Sequence, residues 1–105
     1  MPASKAFLDL ILEKLSNLGT VSGKSMFGGF GVFHDGVMFG LIANDVLYLK
    51  ADDSNREDYT KRNSPQYKPM PYFKVPDDVF EEVDELVIWA QKSVGVAHST
   101  PAKKR

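Results

Sequence analysis

Residues 26–50 read Met26-Phe27-Gly28-Gly29-Phe30-Gly31-Val32-Phe33-His34-Asp35-Gly36-Val37-Met38-Phe39-Gly40-Leu41-Ile42-Ala43-Asn44-Asp45-Val46-Leu47-Tyr48-Leu49-Lys50. Asp35-Gly36 between two apolar runs is the strongest short-range hairpin signal a sequence offers. Asn44-Asp45 makes a second tight turn, because both residue types tolerate left-handed backbone. The first run interleaves aromatics with glycines, which suits an extended strand in close contact with another backbone. The run 37–43 is apolar at both alternating positions, as expected of a central strand covered on both faces. Residues 26–33, 37–43 and 46–50 are therefore predicted to form a three-stranded antiparallel meander.

Outward from this meander the periodicity changes. Ser4 is placed as an N-cap, and Phe7, Leu8, Ile11, Leu12, Leu15 and Leu18 recur at helical spacing up to Gly19, which predicts one amphipathic helix. Ser54 and Glu57 have capping-box spacing and open a short polar helix to about Arg62, stopped by Asn63-Ser64-Pro65. Pro65, Pro69, Pro71 and Pro76 confine residues 70–75 to a short edge strand or extended connector. A last helix carries Val83, Leu86, Val87, Trp89, Ala90 and Val94. The expected fold class is α+β: a single two-layer domain over residues 1–97, with an N-terminal helix, a meander sheet with an added edge strand, a short middle helix and a C-terminal helix. Residues 98–105 are expected to be a flexible basic tail.

The 105 residues are 43% hydrophobic and 26% charged, with a formal net charge of -1 and no cysteine. A chain of this length closes one core. Without cysteine there is no disulfide framework and no thiolate metal site, which fits a cytoplasmic home. No apolar run approaches the ~20 residues of a membrane span, so no membrane partner is expected. The balance of charge argues against a DNA-coating protein. That balance conceals segregation: residues 76–94 hold Asp77, Asp78, Glu81, Glu82, Asp84 and Glu85 against Lys92 alone, beside a mildly basic middle and the tail Lys103-Lys104-Arg105. Such a run is ordinarily a solvated face; its sharper reading is a surface that meets a basic partner.

Motifs for chemistry are sparse. Gly23-Lys24-Ser25 resembles the end of a phosphate-binding loop, but the glycine required five positions earlier is Leu18, and a strand follows where a helix should begin. Neither His34 nor His98 has a second ligand at helical spacing, so no metal is expected. No serine has a histidine placed to activate it, and no catalytic residue or cofactor is assigned. The most suggestive constellation interleaves bases with aromatics: Arg56, Tyr59, Lys61, Arg62, Lys68 and Lys74 form a candidate nucleic-acid patch.

Taken in order, the segments Met26-Phe27-Gly28-Gly29-Phe30-Gly31, Asp35-Gly36-Val37-Met38-Phe39, Leu47-Tyr48-Leu49-Lys50, Asn55-Arg56, Met70-Pro71-Tyr72-Phe73-Lys74-Val75-Pro76, Asp84-Glu85-Leu86 and Trp89-Ala90 resemble the N-terminal domain of the TfoX (Sxy) family. That family is named for regulators of bacterial DNA transformation competence. The resemblance runs from about Leu8 to Ala97. It implies a helix-plus-antiparallel-sheet domain and a regulatory, non-enzymatic setting; the competence regulators act with the cyclic-AMP receptor protein. Those regulators carry a second, C-terminal domain, and this chain matches only their first half.

The expected function is thus a protein-interaction module with a protein partner, a transcription regulator or another regulatory protein, and self-association through the face of strand 37–43. The family-motif residues Met26, Phe27, Gly28, Gly29, Gly31, Asp35, Gly36, Phe39, Leu47, Tyr48, Lys50, Tyr72, Pro76 and Trp89 are expected to be mainly structural. The alternative is a small-molecule binder or minor enzyme with a pocket near the glycine-rich strand and Tyr48 or Tyr72. Nucleic-acid binding is a weaker alternative, and nucleic acid is not the expected partner.

Overall fold

The computed structural model describes residues 4–26, 28–68 and 70–99. Helix α1 spans Lys5–Lys14 and begins as its sequence predicts, with the Ser4 hydroxyl accepting from the Phe7 amide at 3.2 Å. The Ser4 amide in turn donates to Asp45 Oδ1 at 2.8 Å, which ties the helix to a hairpin turn 41 residues away. The α-helical part stops at Lys14, earlier than the apolar stripe suggests. Ser16–Leu18 continues as a 3₁₀ turn, which tightens the end of the helix and gives its last carbonyls partners before Gly19, at φ 97°, turns the chain.

Five strands follow: β1 (Val21–Met26), β2 (Gly29–His34), β3 (Val37–Ala43), β4 (Val46–Lys50) and β5 (Tyr72–Lys74). They pair antiparallel in chain order, so β3 is central, as its doubly apolar run predicts. Asp35 and Gly36 (φ 49° and 83°) and Asn44 and Asp45 (φ 53° and 57°) form the two anticipated tight turns, with both central residues left-handed as twisted hairpins require. The expected strand 26–33 is a correction. Met26 pairs with Gly29, so the chain reverses between them, with Gly28 at φ 77°, and a whole edge strand, β1, precedes the reversal. Phe27 itself lies outside the described residues. β1 was missed because Val21-Ser22-Gly23-Lys24-Ser25-Met26 is largely polar, as befits an exposed edge.

Two glycines set the spacing of these layers. A Cβ on Gly29 would lie 2.0 Å from the Ile42 carbonyl oxygen, so β2 approaches β3 at a distance that admits no side chain there. A Cβ on Gly23 would lie 2.6 Å from Leu8 Cδ1; this glycine serves the packing of α1 on β1 rather than a phosphate. Between Val32 and Phe33 the β2–β3 register shifts, pairing Val32 with Gly40 but Phe33 with Met38. The extra residue, Phe39, is fully buried in the core.

After β4 the chain crosses through α2 (Arg56–Thr60), returns as β5, and ends in α3 (Asp77–Glu81) and α4 (Val83–Ser99). The predicted Ser54–Glu57 capping box does not form. Asp52 holds the turn instead, its carboxylate accepting from the Ser54 amide (2.8 Å) and hydroxyl (2.6 Å), bonds that hold its carboxyl below the usual range. Buried Asn55 completes the turn, accepting from the Asp52 amide and donating to the Lys50 carbonyl. The predicted C-terminal helix is α4, and a short helix absent from the sequence reading, α3, precedes it, set apart at Glu82, whose backbone is extended (φ -105°, ψ 105°).

All four helices feed one core on the same face of the sheet. Leu8 and Ile11 of α1, Tyr59 of α2, Val79 of α3 and Leu86, Trp89 and Ala90 of α4 meet Val32, Ile42, Leu47, Leu49 and Phe73. Burying each large apolar side chain fully stabilises the fold by about 1.5–3 kcal/mol. Tyr59 stacks on Phe73 (5.5 Å between ring centroids) and meets Trp89 edge-on at 4.9 Å. Burial pushes its phenol far above the ordinary tyrosine value. Among the described residues its hydroxyl makes no hydrogen bond, and the adjacent Ser93 hydroxyl donates to the Lys50 carbonyl at 2.8 Å.

The expected tail boundary also moves. Helix α4 runs through His98 to Ser99, and residues 100–105 lie outside the described residues. His34 Nε2 lies 3.0 Å from the Leu18 carbonyl, which can only accept, so that nitrogen carries the proton. His34 Nδ1 lies 3.1 Å from His98 Nε2, accepting from it when the His34 ring is neutral, and this contact fastens the end of α4 to the end of β2.

Replacing Gly29 with Ala forces the two backbones apart and is expected to destabilise the domain by about 3 kcal/mol or more. Gly95→Ala, at an exposed helical site with nothing within 4 Å of the new methyl, is expected to stabilise it by about 0.5–1 kcal/mol. Tyr59→Phe removes a buried hydroxyl that has no partner, and stability should hold or rise by up to about 1 kcal/mol. Urea unfolding of the three variants checks all of these; a loss above about 1 kcal/mol for Tyr59→Phe would show that its hydroxyl is bonded after all.

Candidate interaction surfaces

Strand register divides the sheet into two faces. Val32, Leu47, Leu49 and Phe73 belong to the core, so their neighbours in the chain point the other way. That outer face carries Ser22, Lys24 and Met26 on β1, Gly31 and Phe33 on β2, Met38 and Leu41 on β3, Tyr48 and Lys50 on β4, and Tyr72 and Lys74 on β5. Its residues touch one another: a Cβ on Gly31 would meet Phe33 Cε1 at 3.0 Å and Met26 Sδ at 3.1 Å. The segment after α2 adds Tyr67, whose ring lies 5.1 Å from that of Tyr48. Leu41 (2% exposed) and Tyr72 (4%) form a buried floor, while Phe33, Tyr48 and Tyr67 stay partly exposed above it. The charged side chains on these strand positions are all lysines; Lys74 at the margin lies 3.9 Å from Asp77 of α3, and Asp35, Asp45 and Asp52 sit in turns beyond the strand ends.

The family-motif residues separate into distinct places. Phe39, Leu47 and Trp89 are core, Gly28, Asp35 and Gly36 are turn residues, Gly29 is the close approach to Ile42, and Pro76 precedes α3. Met26, Gly31, Tyr48, Lys50 and Tyr72 converge on the outer face. Sequence reading overlooked Lys24, Phe33 and Tyr67 as members of that face. The signal was the period of two along β1 and β2, hidden while the two strands were read as one.

The predicted nucleic-acid patch is distributed differently. Tyr59 is 1% exposed and lies in the core, so it is withdrawn from any surface. Arg56 pairs with Asp53. Arg62 donates to both Asp78 carboxylate oxygens at 2.8 Å, with its guanidinium 5.4 Å from the Trp89 ring. Lys74 lies 3.9 Å from Asp77, and Lys61 and Lys68 are exposed without an ion pair among the described residues.

On the helical side, Asp77, Asp78, Glu81, Glu82, Asp84 and Glu85 are all exposed at the corner where α3 meets α4. Four of them occupy first helical turns, where carboxylates complement the helix dipole. Arg62 beside Asp78 holds that carboxyl below the usual range. Glu81, Glu82, Asp84 and Glu85 have no ion pair among the described residues, which leaves their charge to the solvent or a partner.

A groove of about 190 Å³ opens between α1, α3 and the β4 end of the sheet, with the stacked rings of Phe7 and Phe80 (5.9 Å) on its walls. It is smaller than the roughly 300–1,000 Å³ of ordinary ligand sites. It also lies away from the glycine-rich strand, Tyr48 and Tyr72, where the small-molecule alternative had placed its pocket. Among the described residues, no three His, Cys, Asp or Glu side chains gather to hold a metal ion, and no helix is long and apolar enough to cross a membrane.

A comparison with curated proteins finds no match. The family model for the TfoX N-terminal domain matches residues 13–97, which takes in the turns, the β2–β3 contact and both surfaces described above. With most of its length matched in an α+β fold of the expected kind, the chain belongs to the TfoX N-terminal domain family.

Proposed function

We propose that this domain is a non-enzymatic regulatory module of the bacterial cytoplasm that works by protein contact, through the acidic corner of α3 and α4. The observation that carries the proposal is the exposure of all six carboxylates between residues 77 and 85, four of them without an ion pair among the described residues. A concentration of one sign of charge attracts a basic surface over the ~8–10 Å of a Debye length and steers its approach. The regulatory setting is the one the family suggests, with a transcription regulator as the partner of choice.

Affinity capture from a native lysate at about 50 mM salt, where surface charges are only weakly screened, tests this with the wild-type chain beside Glu81→Gln/Glu82→Gln/Glu85→Gln. The expected outcome is a specific protein that salt releases and that the triple variant holds about tenfold more weakly, each lost surface pair contributing up to ~1 kcal/mol. Equal capture by both chains, or capture of nothing, would count decisively against the acidic corner. The variant is expected to stay folded, within about 1 kcal/mol of the parent in urea, because among the described residues none of the three carboxylates has an ion pair and only Glu85 lies in a first helical turn.

A further inference from the structure

We propose that the outer face of the sheet binds single-stranded nucleic acid, with Phe33, Tyr48 and Tyr67 stacking on bases and Lys24 and Lys50 on phosphates. This binding site is independent of the acidic corner and lies on the opposite layer of the domain. Three observations converge on it. The charged side chains on the strand positions of this face are lysines only, and neither Lys24 nor Lys50 has an ion pair among the described residues. The aromatic rings stand partly exposed on a buried floor of Leu41 and Tyr72, so they are held in place without being covered. Packing of all four helices on the inner face leaves this one free of them.

Charge and rings together choose the occupant. A polyanion suits a lysine face, and unpaired bases present π faces to rings fixed on a sheet, an arrangement that tolerates any base. A duplex hides those faces in its own stack and is excluded by the same geometry. A second copy of this chain, docked face to face, would set lysines against lysines. Lys24 on β1 and Tyr48 on β4 stand three strands apart, about 14 Å at the usual interstrand spacing, so a strand crossing the sheet spans a few nucleotides.

Fluorescence anisotropy with labelled DNA and RNA single strands of about a dozen nucleotides tests the site, with a duplex of the same sequence as control. Single strands should bind in preference to the duplex. Two phosphate contacts give a salt slope near -1.4, about sevenfold weaker binding between ~50 and ~200 mM salt. Lys24→Gln/Lys50→Gln should flatten that slope, and Tyr67→Ala should weaken binding at least about fivefold, the lower bound for one stacked base. Both changes lie outside the core, and amide chemical shifts, which report folding as well as contact, should move on β1, β2 and β4. No single-strand binding at ~50 mM salt overturns the proposal, since a two-lysine site is strongest there. So do unaltered affinity in the variants, shifts confined to α3 and α4, or displacement by polyglutamate as effective as by single strands. Concentration-dependent dimerisation with shifts on the same strands would give the face to a second copy instead.

Discussion

The carbonyl oxygen of Ile42 occupies the place where a side chain on residue 29 would begin. This contact brings the start of β2 against the end of β3 and fixes how the two strands slide past each other. Strand pairing has a period of two, so a slip of one residue would exchange the faces of every position. With the register set, Val32 and Ile42 turn inward to the helices and Gly31, Phe33 and Leu41 turn outward. The shift between Val32 and Phe33 then brings Phe39 into the core beside them. The rest of the architecture follows: α1 and α4 have an apolar face to cover, and the opposite face is left with rings and lysines.

From that division comes the electrostatic character of the domain. A formal charge of -1 describes a molecule with an acidic cluster at one helical corner and only lysines on the outer sheet face, and with acids and bases mixed in ion pairs elsewhere. The carboxylates of residues 77–85 gather at a helical corner, four of them in first turns where the helix dipole stabilises them. The lysines of β1 and β4 project from the sheet. Arg62 joins the segment after α2 to α3 and α4, binding Asp78 while lying over Trp89 at the margin of the core. Because the outer face sets aromatic rings on a buried floor of Leu41 and Tyr72 and its charged strand positions are lysines, it differs in kind from the acidic corner, and the two faces suit partners of opposite charge.

Legibility in the sequence followed how local each cause was. The turns at Asp35-Gly36 and Asn44-Asp45 were readable because two adjacent residues carry the whole signal. The Ser4 cap was readable for the same reason. β1 was not, because an edge strand exposed along its length needs no apolar period, and Gly23-Lys24-Ser25 therefore resembled a loop. The Ser54–Glu57 spacing misled because Asp52, two residues earlier, competes for the same amide and hydroxyl. Tyr59 looked like a surface aromatic among bases, yet the short helix that carries it turns that one side chain into the core while Arg56, Lys61 and Arg62 stay outside.

By itself the sequence determined the fold class, the central place of strand 37–43, the two tight turns and the family, since these rest on short-range pattern and on ordered motifs. Only the tertiary structure decided which residues share a surface. Lys24, Phe33 and Tyr48 share a face because four strands lie side by side, and the segment after α2 brings in Tyr67, 43 residues from Lys24 in the chain, against Tyr48. His34 and His98 share a hydrogen bond across 64 residues. Such juxtapositions depend on register and helix packing, which arise from the sum of many contacts and leave no mark at any single position.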